Sequence, residues 1–218
     1  MPVDLHTLRE TLIEELPGED AHVAMSPIGR GRSSEALKHA SHIRESAVAL
    51  VIYKSPEGLA SILIQRPTYN GVHSGQICLP GGKREKGERD LIQTAIRECV
   101  EETGLKKHHL RHIGELTPVF IPVSGYHVFP YIFEYSGVLD FYPDPREVDE
   151  MLPFNLKQLL LRDTLQKTDI HLQDERILRD VPHFAIHKRV VWGATALILH
   201  EFKEVLLKAK GKQSQDHD

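Results

Sequence analysis

Apolar positions recur along the chain with two periods. Leu5, Leu8, Leu12 and Leu16 repeat near helical spacing ahead of Pro17-Gly18, which predicts an amphipathic helix over residues 4–16. That helix docks on its own domain, the default, or pairs two copies into a homodimer. Residues 17–45 mix Gly, Ser and His and read as a loop that wraps the core. Ser46 to Tyr53 is continuously apolar and β-branched, as a buried strand is. Leu59 to Gln65 returns after the turn at Ser55–Gly58, so the two strands form a hairpin. A short strand at Ile77-Cys78 delivers the chain to Pro80-Gly81-Gly82.

The next run, Leu91 to Thr103, has a helical period and both end signals. Asp90-x-x-Gln93 is a variant of the capping box, and Gly104 fits the left-handed position past a helix end. At about 100° per residue, Ala95, Ile96, Cys99 and Thr103 fall within roughly 60° of Ile92 and form a core stripe. Glu98, Glu101 and Glu102 share an arc of roughly 180° to 280° on the same scale. Like charges at this spacing oppose the helix by a few tenths of a kcal/mol. A solvated acidic face is the ordinary explanation for such an arc. A hard divalent cation with oxygen ligands, Mg²⁺ or Mn²⁺ rather than zinc, is the other. The glycine pair reads as a tight turn that aims the Gly81 carbonyl at such a cation.

Gly82, Glu88, Arg97, Glu98, Cys99, Glu101, Glu102, Gly104 and Leu105 resemble the Nudix box, G-x5-E-x7-R-E-U-x-E-E-x-G-U with U aliphatic. Eight residues separate Glu88 from Arg97 where the usual box has seven, which leaves Glu85 and Asp90 as alternatives to Glu88. Upstream, Arg66, Gly75, Ile77, Leu79, Pro80, Gly81, Gly82 and Glu85 are similar to the extra motif of the coenzyme A pyrophosphatase group within that superfamily. Pro67 and Gly71 depart from it, standing where the motif has serine and arginine. That group also tends to carry the extra residue before the box arginine, and its closing helix often follows a Trp-Gly pair, here Trp192-Gly193.

The resemblance implies an α/β fold, a Nudix-type α/β/α sandwich with a central mixed sheet. It also implies metal-dependent hydrolysis of a small diphosphate-linked substrate. Coenzyme A is the first candidate, cleaved to 4′-phosphopantetheine and adenosine 3′,5′-bisphosphate. ADP-ribose, a nucleotide sugar or a dinucleotide is the alternative, and a non-catalytic ligand sensor a further one. Mg²⁺ or Mn²⁺ would sit on Glu98, Glu101, Glu102 and the Gly81 carbonyl. Glu98 would be the base, unless a loop glutamate serves, and the catalytic set is Glu98, Arg97 and Glu101, with Arg97 holding glutamates in place. Arg66, Gly75, Gln76 and Gly82 would meet the substrate.

The remaining chain is read from its pattern. His109–Leu116 is a strand, 117–126 a loop, and His127–Tyr135 a strand that Pro130 marks as an edge or a bulge. Ser124, Tyr126 and His127 either line a cleft or are turn residues beside a half-buried aromatic. Glu147 is the best additional carboxylate, against a solvated acidic turn, and a helix follows from about Asn155. Residues 164–191 are short strands with a turn at Gln173-Asp174-Glu175. Trp192 reads as a core anchor rather than a base-stacking platform, and the closing helix covers Ala194–Leu207. His108, His109 and His112 lack the pairing of a hydrolytic zinc site.

The domain plan is 1–45, an N-terminal helix and wrapping loop; 46–207, the hydrolase domain; and 208–218, a flexible tail. At 218 residues, 40% hydrophobic and 27% charged, the chain is ordinary for a globular domain. A net charge of −4 argues against nucleic-acid binding, and no apolar run suits a membrane. Two cysteines, Cys78 and Cys99, fit small buried residues in a reducing, cytoplasmic setting.

Overall fold

In the computed structural model, which describes residues 3–68, 74–172 and 175–215, the apolar run after residue 43 lies at the centre of the main sheet. It forms β1 (Arg44–Ser55) and turns into β2 (Gly58–Gln65) as an antiparallel hairpin. Short strands β3 (Ile77–Cys78) and β4 (Gly81–Lys83) follow, then helix α4 (Leu91–Thr103). Strands β5 (Leu110–Glu115), β6 (Val119–Ile121), β7 (Tyr126–Tyr135) and β8 (Glu150–Asn155) complete the main sheet. Its order is β3-β2-β1-β7-β5, with β4 on β1, β6 on β7 and β8 on β2. The β1–β7 pair is parallel and the others are antiparallel, so the sheet is mixed. Strands β9 (Leu165–His171), β10 (Ile177–Ile186) and β11 (Arg189–Val191) form a second, three-stranded sheet.

Alternation along β1 divides the core. Ala47, Ala49, Val51 and Tyr53 face α4 with Ala95 and Cys99, and the two alanines let the helix lie close. Leu50 and Ile52 face the other side, against α1 (Leu5–Leu12) and α5 (Gly193–Gln215). The result is a helix–sheet–helix sandwich, the fold class expected.

Several boundaries differ from the sequence pattern. The first helix stops at Leu12, leaving Ile13 exposed and Leu16 partly buried outside the helix. The expected wrapping loop holds two short helices, α2 (Gly18–Val23) and α3 (Ser33–Lys38), too brief for periodicity to register. Residues 117–126 contain β6. Pro130 lies in an interior strand; its missing N–H falls where β6 pairing gives way to β5, and the register shift sits on β5 between His112 and Gly114. The helix expected at Asn155 is β8 followed by a 3₁₀ turn over Leu156–Leu160. Buried Leu152, Phe154 and Leu156 alternate with period two, a signal the acidic flank obscured. The closing helix runs on through Gln215 with Ala209 buried, so residues 208–215 are helical rather than tail. Gly71, His73, Gln173 and Asp174 lie outside the described residues.

The N-terminal segment is tied to α5 by a buried carboxylate. Glu201, fully buried, accepts from the Gly18 N–H (3.2 Å), the Thr117 N–H (3.1 Å) and Thr117 Oγ1 (2.7 Å), and its Oε2 lies 3.0 Å from His22 Nε2. Removing such a group strands several buried donors. Glu201→Ala should lower unfolding free energy by about 3 kcal/mol in urea titrations; a loss below about 0.5 kcal/mol, the scale of a surface change, would contradict this.

Candidate active site

Helix α4 starts and stops where its sequence directs. Asp90 Oδ1 accepts from the Gln93 N–H (2.9 Å), and Gly104 takes φ 74° at the other end. The buried face is turned from the expected stripe, however. Ile92 and Ile96 are only partly buried, whereas Thr94 and Glu102 are buried beside Ala95, Cys99 and Thr103. Glu102 is 2% exposed.

The glycine pair is not a tight turn. It is β4, and both glycines are required by close approach. A Cβ on Gly81 would overlap the Ala47 carbonyl and Val48; one on Gly82 would overlap the Glu98 carboxylate. Gly82 pairs with Ala47, while Gly81, opposite Val48, occupies the position whose backbone groups turn away from β1. Its N–H donates to Glu102 Oε2 at 2.7 Å. Its carbonyl therefore points to the same side as the glutamates.

Arg97 organises the carboxylates around it. Nε donates to Glu88 Oε1 (2.8 Å), Nη1 to Glu98 Oε1 (2.7 Å) and Glu101 Oε2 (3.0 Å), and Nη2 to the Lys83 carbonyl (3.0 Å). Glu85 lies 4.0 Å away. Glu88 also accepts from Thr94 Oγ1 and the Glu85 N–H, both at 2.7 Å. A turn over residues 85–88, in which Gly87 has φ 104°, precedes the eight residues Arg89–Ile96 that lead from Glu88 to Arg97. Glu88 thus reaches Arg97, while Asp90 is committed to the cap. Thr94 and the Lys83 carbonyl were not singled out from the sequence; Thr94 precedes Arg97 by one helical turn, which is the signal that was available.

Burial sets the electrostatics. It pushes the Glu102 carboxyl up to about 8, opposed by the Gly81 N–H and Arg66 and reinforced by Glu98 and Glu147. Burial also raises Glu98, with Arg97 opposing and Glu101 and Glu147 adding to it. Burial would raise Glu88 too, but Thr94, the Glu85 N–H and Arg97 outweigh it and hold that carboxyl low. Glu147 stands on a loop anchored by buried Val148 and by the Asp149 N–H on the Gln65 carbonyl (2.8 Å). Its negative charge adds to the upward shift of both Glu98 and Glu102. Arg66 acts on Glu102 and on the Cys78 thiol, which burial, with Glu102, pushes up to about 12.

The described residues show no three acidic, imidazole or thiol side chains already converged as a metal cage. Glu98 and Glu101 are turned to Arg97, and Glu101 is 51% exposed. One buried and one partly buried carboxylate, mutually repelling, beside an outward carbonyl are nevertheless the donor set a hard cation takes. Gly75 (φ 65°) and Gln76 stand next to Arg66, whose N–H donates to the Gln76 carbonyl at 2.9 Å. Tyr126 and His127 fall elsewhere. They pair with Arg44 and Glu45 across β1, with the Arg44 guanidinium 4.5 Å over the Tyr126 ring, and Ser124 lies in the turn before them. The His108 and His109 rings lie 4.2 Å apart, tilted at 46°, after α4. Trp192 is half-buried at a cavity and not a core anchor.

Comparison with known proteins decides the family: the NUDIX domain profile matches residues 43–180. The chain belongs to the Nudix family. Nudix hydrolase NudL of Yersinia pestis is 30% identical over 161 residues, covering 74% of this chain and 79% of the relative. NudL of Pectobacterium atrosepticum is 28% identical over 166 residues, covering 76% and 84%. Among solved structures, the Nudix hydrolase RenU of M. smegmatis superposes with TM-score 0.54 at 18% identity, over 84% of this chain and 94% of that one. A Nudix hydrolase from Nitrosomonas europaea gives 0.51 at 16%, over 79% and 75%. As a Nudix hydrolase, the protein acts on pyrophosphate bonds, and Nudix hydrolases generally use divalent metal ions.

The raised Glu102 carboxyl fixes the sign of a pH effect. Between its ordinary value of 4.5 and about 8 the folded state holds a proton that the unfolded chain releases. Metal-free protein therefore loses stability as pH rises through that window. In chelator, the melting temperature of the wild type should fall relative to Glu102→Gln from pH 5 to 8.5, and parallel curves would contradict this assignment.

Proposed function

We propose that this Nudix enzyme hydrolyses the diphosphate of coenzyme A or a close derivative, with Mg²⁺ or Mn²⁺ held by Glu98, Glu101, Glu102 and the Gly81 carbonyl. The observation that carries the site is the pairing of buried Glu102 with partly buried Glu98, beside the outward Gly81 backbone and within the field of Arg66. The Arg66–Glu85 motif supports the substrate, and Gly71 in place of its second arginine favours the alternative of ADP-ribose, a nucleotide sugar or a dinucleotide. Two free thiols fit a cytoplasmic enzyme. The apolar face of α1 is buried in its own chain, so this reading needs no homodimer.

A divalent cation bound here would neutralise diphosphate oxygens and lower the pKa of a water. The protein supplies the rest. Arg97 fixes the glutamate rotamers and balances their charge, so the cluster is held before substrate arrives. Arg66 meets a phosphate, and Gly75, Gln76 and Gly82 let backbone approach it closely. Glu98 takes the proton of the attacking water; its raised affinity for protons suits it to that role near neutral pH. Glu147, exposed on its loop and adding its charge to the same pair, is the alternative base.

The test offers coenzyme A, ADP-ribose, NADH and nucleotide sugars to the protein with Mg²⁺ or Mn²⁺ and separates the products by chromatography. Coenzyme A should give 4′-phosphopantetheine and adenosine 3′,5′-bisphosphate, and Glu102→Gln should be slower by at least ~100-fold, the scale of losing one preorganised charge-stabilising group. Intact coenzyme A with cleaved ADP-ribose would reject the substrate and keep the metal site. Equal turnover by Glu102→Gln would reject the metal site. Glu98→Gln and Glu147→Gln, compared across pH, separate the two bases: the true one removes the acidic limb of the profile.

A further inference from the structure

A cavity of about 310 Å³ lies where the main sheet meets the three-stranded sheet, lined by Gln65, Gln76, Ile77, His171, Arg189 and Trp192 among others. Its wall at Gly75–Ile77 leads within four residues to Gly81, whose N–H holds Glu102. Edge strand β3 has only two residues, and successive strand side chains face opposite ways. Cys78 feels the field of Glu102, while Ile77 lines the cavity. Gln65 and Arg66 are adjacent in the same way, one on the cavity and the other acting on Glu102. A ligand with its diphosphate at the glutamates can therefore pass around the end of β3 and place its far group in the cavity.

The lining specifies that group. Trp192 offers a half-buried indole, and Ile77, Ile170, Leu172 and Val190 supply apolar walls. Gln65 Oε1 is buried and has no hydrogen-bond partner among the described residues. A buried acceptor left open favours a ligand that brings an N–H donor. We propose that the cavity is the base subsite of the substrate: an aminopurine stacks on Trp192 and donates its exocyclic amine to Gln65. The proposal rests on the reading of the glutamate cluster as the diphosphate-cleaving centre. It adds the group that would recognise the nucleoside half.

Trp192 is the single tryptophan of the chain, so its fluorescence reports occupancy directly. AMP should quench it and ribose 5-phosphate should not. IMP, which replaces the amine with a carbonyl, should bind about 10-fold more weakly, and Gln65→Met should abolish that preference. Trp192→Ala should raise KM for the cleaved substrate about 10- to 100-fold with a much smaller change in kcat, and Trp192→Phe should recover most of it. Absence of quenching, with unchanged KM in Trp192→Ala, would overturn the subsite and leave the hydrolytic reading intact. Quenching by AMP with KM unchanged in that variant would also overturn it, since the base would then be held as a separate effector. Quenching in a wild-type protein that cleaves no diphosphate would support the base site and reject the hydrolytic reading instead.

Discussion

Four glutamates around one arginine are the constraint on which the rest depends. Glu85, Glu88, Glu98 and Glu101 all face Arg97, which is half-buried. Without that cation, the carboxylates on the second half of the helix and in the turn before it would repel one another. With it, three chain segments share one charge centre, because the Lys83 carbonyl and Glu88 are bound from outside the helix. Glu102 is left out of the arrangement. Its burial is offset by the Gly81 N–H and the charge of Arg66, which still leave its carboxyl raised to about 8.

Close approach is the second requirement, and it is met by absent side chains. Ala47 and Ala49 bring α4 down on the sheet, and Gly81 and Gly82 bring β4 between them. The carboxylates are consequently set against backbone, where N–H and C=O groups have fixed directions. A site built this way has its backbone groups fixed, and Glu98 and Glu101 are the members that would turn from Arg97 to meet a cation.

Helix α4 was legible to the residue because its signals are local: an aspartate cap, a glycine stop and a stripe between them. The glutamates of the cluster came with it. Its rotation on the sheet was not legible, since Ile92 and Ile96 are more apolar than Thr94 and Glu102, and only the alanines of β1 and the reach of Gly81 reverse the order. Glu147 could be nominated from the sequence but not placed, because its position depends on β8 pairing with β2 and on Asp149 reaching Gln65. The short helices α2 and α3 escaped for want of length, and β8 because acidic residues precede its alternating pattern. Trp192 was misplaced for a related reason: a lone tryptophan before a helix resembles a core residue until the second sheet is seen to leave it at a cavity edge.

Glu201 bears on where this enzyme can be cut. The family profile begins at residue 43, which invites a shorter version starting there. Yet Leu5, Leu8, Leu12 and Met25 belong to the same core as Leu199, Phe202 and Leu206 of the closing helix. Starting the chain there while keeping the closing helix would bare its apolar flank and strip the Glu201 carboxylate of its Gly18 and His22 partners. Such a fragment would tend to precipitate or to seek a chaperone, even with every residue of the glutamate cluster present. The profile marks the portion shared with relatives, and the cooperative folding unit is larger.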